Sequence, residues 1–210
     1  MLRRHFCIVT FIGLAGLIAA STATPLASTE TKQAKFISAL IGKVVKVLEL
    51  PIENRVEREA GLQKLLHHEF DIPTIVRLVL GRHWRAATAG QRSRFASAFQ
   101  AHLIGVYSDR LGLYDGQTMK VEKSTVLTAK DTVVFTLISR EGDLPVRLDW
   151  RVRQTNKGLK VIDVATEGVS MITTKRSEFT SLVAREGIEA LIVRLESMNN
   201  KASQNDETNS

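Results

Sequence analysis

Three short segments hold residue types capable of chemistry, and their spacing decides what each can do. His67-His68-Glu69 sets two imidazoles and a carboxylate side by side. Neighbours on a helix point about 100° apart, so the two rings cannot converge on one ion. The HExxH spacing that would align them is absent. The segment reads as a solvated helix end. His83 and His102 stand alone near apolar stripes and read as partly buried or surface residues. Gly168-Val169-Ser170-Met171-Ile172 opens like the turn that presents a hydrolase serine, but it lacks the closing glycine. No histidine follows Ser170, and the hydrolase order needs one downstream. Gly42-Lys43 has no glycine-rich phosphate loop before it. The acids are spread over charged faces, with no pair singled out. No catalytic constellation emerges, which favours a binding protein over an enzyme.

Export is the strongest signal. Arg3 and Arg4 precede an uncharged apolar run from Phe6 to Ala20, and small residues follow through Ser28. That order predicts a cleavable secretory signal over residues 1–27, cut near Ala23 or Ala27. An N-terminal membrane anchor is the alternative, but the run is shorter than the ~20 residues a bilayer crossing needs. Cys7 is the only cysteine, and it leaves with the signal. The mature chain then has no thiol chemistry and no disulfide, so its core alone must hold it together. The formal charge of +7 falls to +5, because residues 1–27 contain two arginines and no acid. An exported basic protein meets anionic membranes or acidic envelope proteins rather than nucleic acid, and a solvated basic surface with no partner is the alternative.

The elements that would position a site follow from periodicity. A helix is expected over 29–48 from Phe36, Leu40, Ile41, Val44, Val45 and Leu48, and a more polar one over 53–68. Asp71 reads as the N-cap of a third helix that Gly81 ends. Thr88-Ala89-Gly90-Gln91 has capping-box spacing and opens the longest helix, expected to end near residue 112. From Met119 the pattern alternates. Four antiparallel strands are predicted over 118–127, 132–140, 145–154 and 159–166. Residues 133–138 are nearly apolar on both sides, so both faces of that strand need cover. Helices return over 173–184 and 187–198, split near Gly187, and 199–210 reads as a disordered polar tail. The fold class is α+β, one domain over 28–198. Trp84 and Trp150 sit in apolar patterns that favour core packing over a sugar platform. Arg147, Arg151 and Arg153 form one strip, either a solvated strand face or a docking face.

Phe70-Asp71, Leu80 to Thr88, Gln91-Arg92 and Phe95, continuing through Tyr107 and Leu111 to Tyr114, form an ordered set. That set resembles the central helical signature of the MlaC family of periplasmic phospholipid-binding proteins. The likeness resumes at Asp163-Val164, Glu167-Gly168-Val169-Ser170, Arg176 and Phe179, so it covers about residues 30–197. What it implies is a twisted antiparallel sheet wrapped by N- and C-terminal helices, with an apolar pocket between sheet and helices. The pocket would take a phospholipid's acyl chains, without catalysis or cofactor. The implied partners are an inner-membrane MCE-domain ABC transporter complex and an outer-membrane lipoprotein/porin complex. Some relatives lie in hopanoid biosynthesis clusters, so a hopanoid is the alternative cargo. A non-catalytic envelope adaptor or an exported enzyme are the competing classes. The expected pocket lining is Tyr107, Leu111, Phe135, Leu137, Leu148, Trp150, Val164, Val169, Met171, Phe179 and Val183, each of which could equally be core.

Overall fold

A computed structural model of the chain describes residues 31–208 apart from Ile52 and residues 112–115; its side-chain description omits Arg55, 107–111 and 202–208. The predicted signal segment lies outside the described residues. Helices come first: α1 Lys32–Leu48, α2 Arg55–Glu69, α3 Ile72–Leu80, α4 His83–Ala86 and α5 Ala89–Leu111. The strands are β1 Thr118–Val126, β2 Asp131–Ser139, β3 Val146–Thr155, β4 Gly158–Thr166 and β5 Val169–Ser170, and α6 Met171–Thr208 closes the chain. The five strands form one antiparallel meander in the order β1-β2-β3-β4-β5. This is the α+β architecture expected, with a fifth strand added. β5 is only two residues long, too short for any alternation to announce it. None of the described helices is long and apolar enough to cross a membrane.

Helix ends fall where capping chemistry puts them. The Thr31 hydroxyl accepts from the Ala34 N–H at 3.1 Å to start α1. The Asp71 carboxylate accepts from the Thr74 N–H at 3.1 Å, and Gly81 ends α3 with φ +57°. Thr88 and Gln91 form the reciprocal capping box: the Gln91 N–H donates to the Thr88 hydroxyl at 3.2 Å, and the Thr88 N–H donates to Gln91 Oε1 at 3.1 Å. Gly187, with φ +83°, breaks α6 where the sequence pattern splits. The polar tail after Asn199 is a correction, because helix continues through Thr208. Asn199 tethers that extension by donating to the Ala98 carbonyl at 2.9 Å.

Ser170, the serine of the suspected elbow, turns out to start α6. Its hydroxyl accepts from the Thr173 N–H at 3.1 Å and donates to Asp163 Oδ2 at 2.5 Å. Asp163 Oδ1 in turn accepts from the Ile172 N–H at 3.2 Å. Two N–H groups that a helix start leaves unpaired are thereby satisfied. The hydroxyl is committed to structure.

Register assigns the sheet's two faces. Val134 lies opposite Trp150, Trp150 opposite Val164, and Thr136 opposite Leu148, so these share the face on which α1 packs. Trp150 donates its indole N–H to the Thr136 hydroxyl at 3.1 Å, which donates to the Leu148 carbonyl at 2.8 Å. A bulky indole is thus buried without an orphaned donor. On the other face, cationic side chains cover Phe135. Lys123 Nζ and the Arg147 guanidinium lie 5.2 and 5.8 Å from the Phe135 ring centre. Their stems shield apolar surface while their charges stay wet.

The arginine strip on that outer face is engaged by acids. Arg151 and Arg153 both grip Asp131, with contacts of 2.6 to 3.1 Å, and Asp131 is only 2% exposed. Arg153 first, with Arg151, holds the Asp131 carboxyl down at about 2. A carboxyl depressed by folding stabilises the fold above its unfolded value and loses that contribution as pH falls. Asp131→Asn is expected to cost on the order of 1–2 kcal/mol in urea unfolding at pH 7, since the arginines are partly wet. The difference from wild type will shrink as pH falls from about 4 to about 2; a pH-independent difference would place its origin elsewhere. Ser170→Ala is expected to lower stability by about 1 kcal/mol, the usual worth of such a cap, and an unchanged thermal midpoint would remove the capping role.

Candidate functional site

The apolar interior is divided in two. One cluster lies among α3, α5 and α6, where Phe95, Phe99 and Phe179 meet with ring centres 5.7 to 5.9 Å apart. The other lies between α1 and the sheet, built on Ile37, Leu40, Val134, Trp150, Val152 and Val161. Phe70, half-buried, packs against both. Its backbone forms an isolated parallel bridge with Val161, and the Asp71 N–H donates to the Val161 carbonyl at 3.0 Å.

The expected lining residues scatter across this plan. Leu148 and Val164 are half-buried at the margin of the sheet-side cluster, and Met171 and Val183 are half-buried at the margin of the helical one. Phe135 and Leu137 lie on the opposite face, because their partners across the ladder are Asp149 and Arg147. They cannot share a cavity with Leu148 and Trp150, since successive strand residues point to opposite sides. Trp150 and Phe179, each 7% exposed, are core. Val169 stands 64% exposed on β5. The side chains of Tyr107 and Leu111 lie outside the described residues. Sequence reasoning left out Met119 and Val121, which border the sheet-side cluster beside Phe36, Ile41 and Val44. Their alternation in β1 was the available signal.

The residues carrying the family likeness are joints. Arg92 donates through Nε to the Trp84 carbonyl at 2.8 Å and lies 5.3 Å from the Trp84 ring centre. Arg176 reaches from α6 to the Leu78 carbonyl at 2.6 Å and packs along Gly81. Asp71, Thr88, Gln91, Asp163 and Ser170 are the caps described above. The Glu167-Gly168 pair forms the β4–β5 turn with φ of +49° and +80°, and the Glu167 N–H donates to the Arg147 carbonyl at 3.0 Å.

The titratable groups offer little chemistry. Burial first, and Lys175 second, lower the pKa of His102, so its imidazole is neutral at pH 7. His67 Nε2 lies 2.8 Å from the Gln100 amide nitrogen. Among the described residues no three His, Cys, Asp or Glu side chains gather into a metal-binding group. An open trough of about 560 Å³ lies between α3 and α5, within the helical layer and not between sheet and helices.

Comparison with known proteins supplies the remaining context. Over 202 residues the chain is 24% identical to the intermembrane phospholipid transport system binding protein MlaC of Haemophilus influenzae, spanning 93% of this chain and 92% of that protein. The phospholipid-binding protein of Ralstonia solanacearum, whose structure was solved in complex with a phospholipid, superposes with a TM-score of 0.71 at 22% identity. That superposition covers 80% of this chain and 97% of the other, so the two share a fold. Residues 38–197 match the family described as MlaC protein, which is most of the chain, and the protein belongs to the MlaC family.

Proposed function

We propose that this protein is a non-catalytic periplasmic carrier that shuttles a phospholipid between the outer and inner membranes. Its donor and acceptor would be an outer-membrane lipoprotein/porin complex and an inner-membrane MCE-domain ABC transporter. Residues 1–27 would be its export signal. The names of its relatives support the cargo, and the divided core supports the mechanism. The observation that carries the reading is the split between the sheet-side and helical clusters, with Leu148, Val164, Met171 and Val183 left half-buried at their margins. Each apolar group left partly wet forgoes burial energy, and acyl chains seated against these side chains would recover it.

The energetics of the cargo require such a sleeve. Each buried methylene is worth ~0.8 kcal/mol, so two chains of about 30 methylenes together represent roughly 24 kcal/mol of exposure to water. A lipid leaves a bilayer for water only rarely at that cost. A carrier must therefore keep the chains dry from one membrane to the other. The half-buried residues are aliphatic or thioether side chains, which repack around flexible tails without orphaning a polar group.

Organic-solvent extraction of the detergent-free mature protein, followed by mass spectrometry, is expected to yield phospholipid. A lipid-free extract would sink the carrier reading, and a hopanoid would replace the cargo. Leu148→Asp and Val164→Asp are expected to empty the site. Leu148→Trp, which takes up space without adding charge, is expected to lower lipid content while the thermal midpoint holds. Full lipid occupancy in all three folded variants would remove these residues from the site.

A further inference from the structure

We propose that the trough between α3 and α5 docks an acidic, partly apolar segment of a protein partner. The proposal concerns a surface distinct from the lipid site and stands whether or not the cargo reading holds. Ile72, Val76 and Ala96 form the trough's apolar floor, and Arg77, Trp84 and Arg92 stand along it. The α5 stretch that lines it, from Arg92 to Gln100, is about 12 Å long at 1.5 Å per residue. Two turns of a partner helix, or a few extended residues, fit that length.

Charge selects the occupant. Residues 72–108 contain five arginines and neither acid nor lysine. Of the five, Arg94 is neutralised by Glu189 and Glu196 across the α5–α6 contact. Among the described residues no carboxylate pairs with Arg77, Arg82, Arg85 or Arg92. The outer sheet face is different, because there Asp131 and Asp149 engage its arginines. Among the described residues, the arginines of the outer sheet face thus have acid partners, and four of the five around the trough do not. Arg92 is already fixed over Trp84 by its two carbonyl contacts, so little ordering entropy is lost when an acid meets it. Arginine and tryptophan beside an apolar floor are the residue types that carry binding energy at protein interfaces.

Position fits a docking role. Ile72 follows directly on the Phe70–Val161 bridge, whereas β5 and the exposed Val169 belong to the other end of β4. A partner seated in the trough would hold the helical layer and leave the β4–β5 end unobstructed. An acidic helix laid along α5 would place its apolar side on Ala96 and its carboxylates against Arg77 and Arg92.

The test uses a labelled amphipathic peptide of roughly twelve residues, about 18 Å as a helix, with Glu on one face and Leu on the other. A Lys-for-Glu peptide is the control, and binding to the mature protein is read by fluorescence anisotropy. The acidic peptide is expected to bind saturably and to weaken with added salt. Arg77→Glu, at an exposed position, is expected to weaken it by about tenfold or more, and Ala96→Leu to weaken it by raising the floor. Both variants are expected to retain the wild-type lipid content and thermal midpoint. Absence of binding, equal binding of the basic peptide, or binding indifferent to both substitutions would overturn the proposal. Displacement by inorganic phosphate or dodecyl phosphate at matched ionic strength would also overturn it, by making the trough a small-anion site.

Discussion

Phe70 packs against both apolar clusters while its backbone bridges to Val161, and that joint ties the helical layer to the sheet. One aromatic ring bridging two clusters holds them together at a point without merging them. Asp71 strengthens the joint twice, since its N–H is tied to the Val161 carbonyl and its carboxylate caps α3. Backbone hydrogen bonds resist sliding better than apolar contact does, because they have direction. The layers are therefore pinned at this joint, and again where Ser170 and Ile172 bond to Asp163.

The residues that carry the family resemblance explain why a family can be recognised without its ligand being visible. Asp71, Thr88, Gln91, Asp163 and Ser170 satisfy helix termini, Arg92 ties α5 to α4, Arg176 ties α6 to α3, and Phe179 completes an aromatic trio. Each has a geometric task that few other side chains perform. A greasy wall has no such demand, because Leu, Ile, Val and Met exchange at similar volume. The recognisable part of the sequence is its joinery, and the cargo surface leaves a weaker trace.

The same contrast governs what could be read from the chain before its structure. The four long strands were legible to within about a residue, because alternation and the breaks at 128–131, 141–143 and 155–158 are local properties. The capping box at Thr88 and the break at Gly187 were legible for the same reason. The lining was not. Phe135 and Trp150 look equally apolar in sequence, and only the pairing of β2 with β3 shows that they face opposite ways. The cover over Phe135 was also hidden, since only register brings the stems of Lys123 and Arg147 over the ring. The tail after Asn199 was misread because polar composition says little about a helix that is already nucleated and tethered.

The meander leaves β1 at the margin of the sheet, where its outer N–H and C=O groups would ordinarily invite another strand. Its pairing slips between Val121 and Lys123, so the hydrogen-bonding pattern is interrupted at mid-strand. Lys120, Glu122 and Lys123 add charge along the same stretch. A bulged, charged margin is a poor template for a second chain. Crowded copies of the molecule are thereby kept from zipping into fibres.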